Sequence, residues 1–346
     1  MAERSDGGGP GGLRMPAEWE PHERTLIAWP AREGAWRGTT IEAAREATAE
    51  VVAVVAEFEP VTLAADPAHA KDAKRRVPRE NVEVVALSLD DSWLRDSGPI
   101  VVVGEGGEGP TRAGIDFRFN AWGEAFSPYE KDAEIARLLL DHLGIERFAS
   151  PLVLEGGAIA VDGAGTLITT EQCLLNRNRN PLLNRADIEE ELRLQLGVEQ
   201  IVWLAAGLVE DADTDGHVDN VCVPLAPGRA LLQTTADPDD ANAPAAAENA
   251  RRLEAAGIAV EPFELLPRTT RDDGSVVAIP YLNLYLCNGA AIVPLAKQDP
   301  DMDAEAMRRL AALMPTRDIV GVPGEVLALG GGGVHCITQQ VPSGTA

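Results

Sequence analysis

The chain has 346 residues, 45% of them apolar, with 33 glycines, 24 prolines and a net charge of −25. This composition fits a loop-rich globular protein with a large core, and its negative field disfavours nucleic acid and anionic membranes while favouring cationic ligands. Four cysteines without a C-x-x-C pair, an N-terminus of acids and glycines, and no apolar run near a membrane span argue against a disulfide scaffold, a signal peptide and a membrane helix; a cytoplasmic protein with reduced thiols is expected.

A flexible leader is expected over residues 1–12, followed by one domain over 13–346. Residues 25–29 (TLIAW) read as a strand and 40–57 as a helix. Residues 61–65 form a strand, the stretch around Lys71 is helical, and 82–89 (VEVVALSL) is a third strand. A strand pair follows at 100–103 and 111–119, then a helix at 131–143 and a strand at 152–154. Another pair covers 158–161 and 166–169, turning near Gly163-Ala164-Gly165, with a helix at 185–196 and a strand at 200–204. Residues 218–225 pair with 230–234, then come a helix at 240–256 and a strand at 258–264. Last are strands at 281–286 and 290–294, a helix at 302–314 and a strand at 319–322. A strand–strand–helix–strand unit thus recurs about five times without a residue-level repeat. That predicts an α/β fold of stacked or circular modules rather than one doubly wound sheet.

The polar residues of chemical interest fall at the joints of these units. Asp96 and Glu155 are 59 positions apart, Glu155 and His217 are 62, and Cys336 follows 119 further on, about two such periods. Modules set around an axis would deliver each joint to one central point.

Cys336 ends the run GGGGVHC, after an apolar stretch read as a buried strand. Four glycines let the backbone pass close to a ligand, and without a following Lys and Ser/Thr they do not make a phosphate loop. The glycines and the polar neighbours His335, Thr338, Gln339 and Gln340 do not suit a core strand, so Cys336 is the candidate nucleophile. Cys173, Cys222 and Cys287 read as small buried apolar residues. His217 lies in DADTDGHVDN and, on a strand, shares a face with Asp219. Neighbouring carboxylates would hold its proton and suit it to general acid work near neutral pH. A structural ion pair is the plainer reading, and a His-x-Asp metal site lacks a second histidine at a conventional spacing. Asp96, in DDSWLRDSGP, is placed as an exposed functional carboxylate, with Trp93 able to wall a planar cation; a surface pair with Arg95 is the alternative. Glu155 ends an apolar strand before two glycines, where a buried acid needs a partner.

One thiol, one imidazole and three carboxylates exceed what a serine-type triad uses. A guanidinium would use the surplus: it is a planar cation with a fixed fork of N–H donors, best held by carboxylates two at a time. Resonance makes its carbon a poor electrophile, and clamping it between anions while a thiolate attacks is a chemical remedy.

At these motifs the chain resembles the agmatine deiminases of the guanidine-modifying superfamily, which also holds arginine deiminases, bacterial peptidyl-arginine deiminases and amidinotransferases. The matching stretches are MPAEWEPHERTLIAWP from Met15, DDSWLRDSGP from Asp90, LEGGAIAVDGAGTLITTEQCLLNRNRNP from Leu154, DTDGHVDN from Asp213 and GGGGVHCITQQVP from Gly330. One departure is Gly333-Val334, where the family pattern has Asn-Ile. The resemblance implies a five-bladed α/β propeller (pentein) of ββαβ modules around a central active site. It implies hydrolytic deimination of agmatine to N-carbamoylputrescine and ammonia through an amidino-cysteine, a step of polyamine and putrescine biosynthesis. Carried over to this sequence, Cys336 would be the nucleophile and His217 the general acid/base. Asp96 and Asp219 would hold the guanidinium, Glu155 would orient the imidazole and touch substrate, Trp93 would wall the pocket, and Asp213 would face the distal amine. No cofactor or metal and no nucleic-acid or membrane partner is expected; the partners are a small cationic guanidine and further copies of the chain in a homo-oligomer. Deimination of free or peptidyl arginine, amidino transfer and a non-catalytic polyamine-binding role are the alternatives.

Overall fold

Helix starts in this chain are set by capping side chains. The Thr40 hydroxyl accepts from Ala43 N to open helix Ile41–Ala56, and Asn184 with Asp187 forms a reciprocal capping box ahead of Arg185–Leu196. Asp299 accepts from Met302 N, with Pro300 at the first helical position of Pro300–Leu313. Gly144 and Gly197, at φ 67° and 63°, end Asp132–Leu143 and Arg185–Leu196 in the left-handed conformation that glycine adopts without strain.

The computed structural model describes residues 9–104 and 111–344. Five units share one order, an antiparallel strand pair, a helix, and a strand parallel to the second. Ile100–Val103, Arg112–Arg118 and Arg147–Val153 form one such sheet around helix Asp132–Leu143. Ile159–Val161, Thr166–Thr170 and Gln200–Leu204 form the next around Arg185–Leu196. Cys222–Ala226, Arg229–Gln233 and Ala259–Phe263 follow with helix Ala243–Ala255, then Tyr285–Cys287, Ala290–Leu295 and Asp318–Pro323 with Pro300–Leu313. The remaining unit joins the two ends of the chain. His22–Ala28 pairs antiparallel with Thr338–Pro342 and parallel with Val61–Ala65, and Val82–Ala86 extends the sheet. A parallel neighbour requires a crossover, which is why a helix precedes each unit's parallel strand. The apolar faces collect into clusters around Ile27, Trp29 and Leu63, around Ile115 and Leu192, and around Phe263 and Leu310.

The α/β class and the recurring unit agree with the sequence reading, and several local expectations do not. The stretch before the glycines is a helix, Glu325–Gly330, not a strand. Thr338–Pro342 is a fully buried strand despite its polar residues, because Gln339 donates to Pro99 O and Gln340 accepts from Arg95. His217 and Asp219 do not lie on a strand: His217 caps a one-turn 3₁₀ helix, Val218–Asn220. A two-stranded hairpin, Arg268–Thr270 with Val276–Ala278, went unread. Most of the expected leader, residues 1–8, lies outside the described residues, and Pro10 is already buried. No helix among the described residues is long and apolar enough to cross a membrane.

Candidate active site

Cys336 sits in a single 3₁₀ turn, His335–Ile337, between the glycine run and the last strand. It lines a pocket with Trp93, Trp122 and Phe126 on the walls and Asp96 and Asp213 among the polar groups. The glycines serve packing: a Cβ on Gly332 would meet the Trp93 ring at 2.5 Å, and one on Gly330 would meet Trp36, which stacks on Trp93 with centroids 5.3 Å apart. At Gly333 a Cβ would fall 2.3 Å from Asn283 Oδ1, so Asn283 fills that space. The Asn283 amide lies 3.3 Å from Cys336 Sγ and donates to Asn220, while its oxygen accepts from His335 N.

Asp96 is buried on a helical turn, Leu94–Ser97, rather than exposed, and Arg95 turns away to Glu18 and Gln340. Its Oδ1 accepts from Gly157 N at 3.0 Å and its Oδ2 from the Trp122 indole at 2.9 Å. Trp122 reaches it from a left-handed run in which Ala121, Trp122 and Glu124 have φ of 53°, 55° and 63°. Each such residue costs about 1–3 kcal/mol, a strain typical of functional positions.

Asp219 accepts from His335 Nδ1 at 2.9 Å, and Cys336 Sγ lies 3.8 Å from the same oxygen. His335 Nε2 is 2.8 Å from Glu18, which also pairs with Arg95 at 3.0 Å. Burial opposes ionisation of Glu18, yet His335 and Arg95 pull it down to about 2. Burial likewise opposes ionisation of Asp219, and His335 outweighs it, holding that carboxyl below its usual range. Against burial and Arg95, the Glu18 and Asp219 carboxylates raise His335.

Glu155 is fully buried and takes Arg179 Nε at 2.5 Å; Arg179 also reaches Asp215 at 2.8 Å and Thr214 O at 3.0 Å. Removing one partner of a buried pair leaves an uncompensated charge worth about 3–5 kcal/mol. His217 lies between acids, its Nδ1 3.8 Å from Asp96 and its Nε2 4.0 Å from Glu155. Burial disfavours the imidazolium, but Asp96, then Cys173 and Asp219, raise His217 well above the ordinary histidine range. Burial, reinforced by Asp219 and Asp96, raises the Cys336 thiol well above its ordinary value.

Four buried polar atoms here have no protein partner: Glu155 Oε2, Asp219 Oδ1 and both ring nitrogens of His217. Gly157 lies against this cluster: a Cβ there would meet the unpartnered His217 Nδ1 at 2.6 Å, and also Asp96 Oδ1 at 2.8 Å and Asp219 Oδ2 at 2.9 Å, which already accept from Gly157 N and His335. Glu155, Cys173 and His217 bring potential ligand atoms within 4.8 Å of one another and form the group able to hold a metal among the described residues. Cys173, read from sequence as an apolar filler, does pack in an apolar cluster, but its sulfur also neighbours His217.

The structure therefore gathers Cys336, His217, Asp96, Asp219 and Glu155, with Trp93 on the pocket wall. Asp213 is on the lining too, bound by Arg37 at 2.7 Å and Arg271 at 3.2 Å. Sequence reasoning missed Trp122, Asn283, Arg179, Glu18 and the part played by His335. Glu18 and Arg179 stood in matched motifs, EWE and NRNRNP, and His335 adjoined the thiol; nothing local marked Trp122.

Residues 14–342 match the model of the Porphyromonas-type peptidyl-arginine deiminase family. The chain is 42% identical to an agmatine deiminase of Pseudomonas aeruginosa and 40% identical to one of Medicago truncatula, over 96% of this chain and 96–97% of theirs. Among solved structures, an agmatine deiminase of Enterococcus faecalis superposes with a TM-score of 0.92 at 31% identity, covering 99% of this chain and all of that one. A matched family model across nearly the whole described chain and relatives at this identity place the chain in the Porphyromonas-type peptidyl-arginine deiminase family.

Proposed function

We propose that the chain hydrolyses agmatine to N-carbamoylputrescine and ammonia, with Cys336 as nucleophile. The observation that carries this reading is a slot of buried acids beside a thiol: Asp96, Asp219 and Glu155 surround His217 next to Cys336, and Glu155 Oε2 and Asp219 Oδ1 have no protein partner. A guanidinium supplies both the positive charge and the planar fork of donors that such a slot lacks. The relatives named agmatine deiminase supply the substrate.

In this account Asp96 and Asp219 clamp the guanidinium, Trp93 covers its face, and Asp213 receives the distal ammonium in exchange for Arg37. Burial and then the acidic neighbours Asp219 and Asp96 favour the protonated thiol, so the bound cation offsets the acids, and the thiol proton leaves to solvent. The Cys336 thiolate then forms a C–S bond to the guanidinium carbon. Protonated His217 gives its proton to one amino group, the C–N bond breaks, ammonia leaves, and an amidino-cysteine cation remains. Neutral His217 next takes a proton from water as the oxygen attacks the same carbon. The C–S bond breaks, the urea carbonyl forms, and the released proton and thiolate restore the starting state. Glu155, aimed by Arg179, faces His217 and steadies the imidazolium. Every step uses side chains and water alone, so no cofactor is assigned a role.

The same reading arranges the five ββαβ units as a propeller around a central axis, with the sheet that pairs the two chain ends closing the ring. It keeps one domain over 13–346 and a cytoplasmic homo-oligomer acting on a small cationic guanidine without nucleic acid or membrane. Four free, buried cysteines fit a reducing compartment.

The test is ammonia release from agmatine, arginine and a peptidyl arginine, with product identified by mass. Agmatine is expected to exceed arginine in kcat/KM by at least about 10²-fold, since an α-carboxylate would enter beside Asp213 and Asp91, where Arg37 and Arg271 are already paired with Asp213. Equal or greater turnover of arginine would refute the substrate assignment. A second expected outcome concerns Gly157→Ala. Its methyl would push apart His217, Asp96 and Asp219, and displacement by about 1 Å lowers kcat by about 10²-fold. Steady-state rates beside a thermal melt check it; an unchanged kcat would show that the slot is not where the cation sits.

A further inference from the structure

Arg179 is a buried guanidinium inside a site that the preceding reading assigns to a guanidinium substrate. Its side chain is fully buried and every hydrogen bond it makes is to a group that frames His217. Nε donates to Glu155 Oε1 at 2.5 Å, Nη1 to Asp215 Oδ2 and Asn178 Oδ1 at 2.8 Å, and Nη2 to the Thr214 carbonyl at 3.0 Å. Asn178 completes the frame by donating to the same Asp215 oxygen at 2.8 Å.

Two consequences follow from that geometry. First, Arg179 occupies one oxygen of Glu155 and leaves the other, Oε2, unpartnered and 4.0 Å from His217 Nε2. The fork therefore sets which face of the carboxylate the imidazole sees. Second, Arg179 grips the chain immediately before His217. Asp215 is a non-glycine residue at φ 61° and Gly216 follows at φ 82°. Such a backbone persists when its surroundings hold it; Arg179 and Asn178 are what hold Asp215. Gly216 has no freedom to swing either, because its Cα lies against Gly207 and a Cβ there would strike Gln172 Oε1 at 2.5 Å. A lysine could supply the charge but not a planar fork reaching Glu155, Asp215 and Thr214 at once.

We infer that Arg179 is a positioning residue for the proposed deimination: its buried guanidinium aims Glu155 at His217 and clamps the Thr214–Gly216 turn that presents the imidazole. It touches no reacting atom and acts through those two groups. The inference rests on the deiminase reading, and the two fail separately. Wild-type protein that releases no ammonia from agmatine overturns the function; wild-type turnover that Arg179 variants share overturns this.

The experiment compares Arg179→Lys and Arg179→Met with wild type by agmatine kcat, KM, pH–rate profile and thermal melt. His217 is faced by Asp96, Asp211, Asp219, Glu155 and Cys173, with Arg179 the cation behind Glu155. Losing that cation favours the imidazolium, so the alkaline limb of kcat, where His217 loses its proton, moves to higher pH in Arg179→Met. Its kcat falls about 10²-fold or more, with KM changed less. Arg179→Lys keeps the charge and loses the fork, so its kcat falls about tenfold with the limb where wild type has it. A folded Arg179→Met with kcat within about threefold of wild type overturns the inference, as does a limb that stays in place or moves down. Should the methionine variant fail to fold, the lysine variant decides: a kcat within about threefold of wild type overturns it, and a tenfold loss at wild-type melting temperature supports it.

Discussion

Replacing Cys336 with alanine is expected to remove agmatine turnover, lowering kcat by about 10⁴-fold or more while leaving binding close to wild type. The physical basis is a division of labour. In the proposed mechanism the sulfur forms the bond to carbon, whereas Asp96, which lines the same pocket, and Asp219, 3.8 Å from Sγ, hold the cation. A nucleophile that works as a unit with its acid/base partner accounts for most of the chemical acceleration, so its loss is not made up by the residues that remain. Stability should change little. The lost contacts are the weak ones between Sγ and Asn283 at 3.3 Å and Asp219 at 3.8 Å, and alanine also removes a thiol that burial and its anionic neighbours disfavour ionising. Titration calorimetry with agmatine and a stopped ammonia assay give both readings. Tight binding with no product is the expected pair; measurable turnover would mean that another group attacks.

The second large effect is expected for His217→Gln, with kcat lower by about 10²–10⁴-fold, the usual weight of a positioned proton donor. Glutamine is similar in size and hydrogen bonds, but it cannot protonate the departing amine or take a proton from water. The pH dependence separates this from a packing defect. Burial opposes the imidazolium, and Asp96, Cys173 and Asp219 outweigh it, raising His217 well above the ordinary value. A raised group stays protonated through neutral pH and is lost as pH climbs through its own raised value. Wild-type kcat therefore falls on the alkaline side, and in His217→Gln that limb should be absent at the low residual rate. A limb that survives the substitution would belong to some other group.

What the sequence made legible was mostly local. Alternating apolar strands and capped helices gave nearly every unit, because period-2 and period-3.6 patterns are written in consecutive residues. Gln200–Leu204 and Arg185–Leu196 fall where their patterns place them. The misreadings have tertiary causes. A strand of Thr, Gln and Gln is buried because Pro99 and Arg95, far away in the chain, satisfy its side chains. His217 and Asp219 needed no shared strand, since a 3₁₀ turn after Asp215-Gly216 delivers both. The candidate site was legible as a list of residue types at the joints, Cys336, His217, Asp96, Glu155 and Asp219. Its supports were not. Trp122 reaches Asp96 only by way of four residues in left-handed backbone, and His335 matters because folding places Glu18 and Asp219 on either side of its ring. Arg179 is one of two arginines in NRNRNP until the fold buries it against Glu155.

The most direct test of covalent chemistry at Cys336 is acid quenching of wild-type protein during turnover of agmatine, followed by mass spectrometry of the cysteine-containing peptides. The account predicts a mass gain equal to agmatine less ammonia on the Cys336 peptide alone, absent from Cys336→Ala and lost when substrate runs out. Sustained turnover with Cys336 unmodified, or the adduct on Cys173, Cys222 or Cys287, would contradict it.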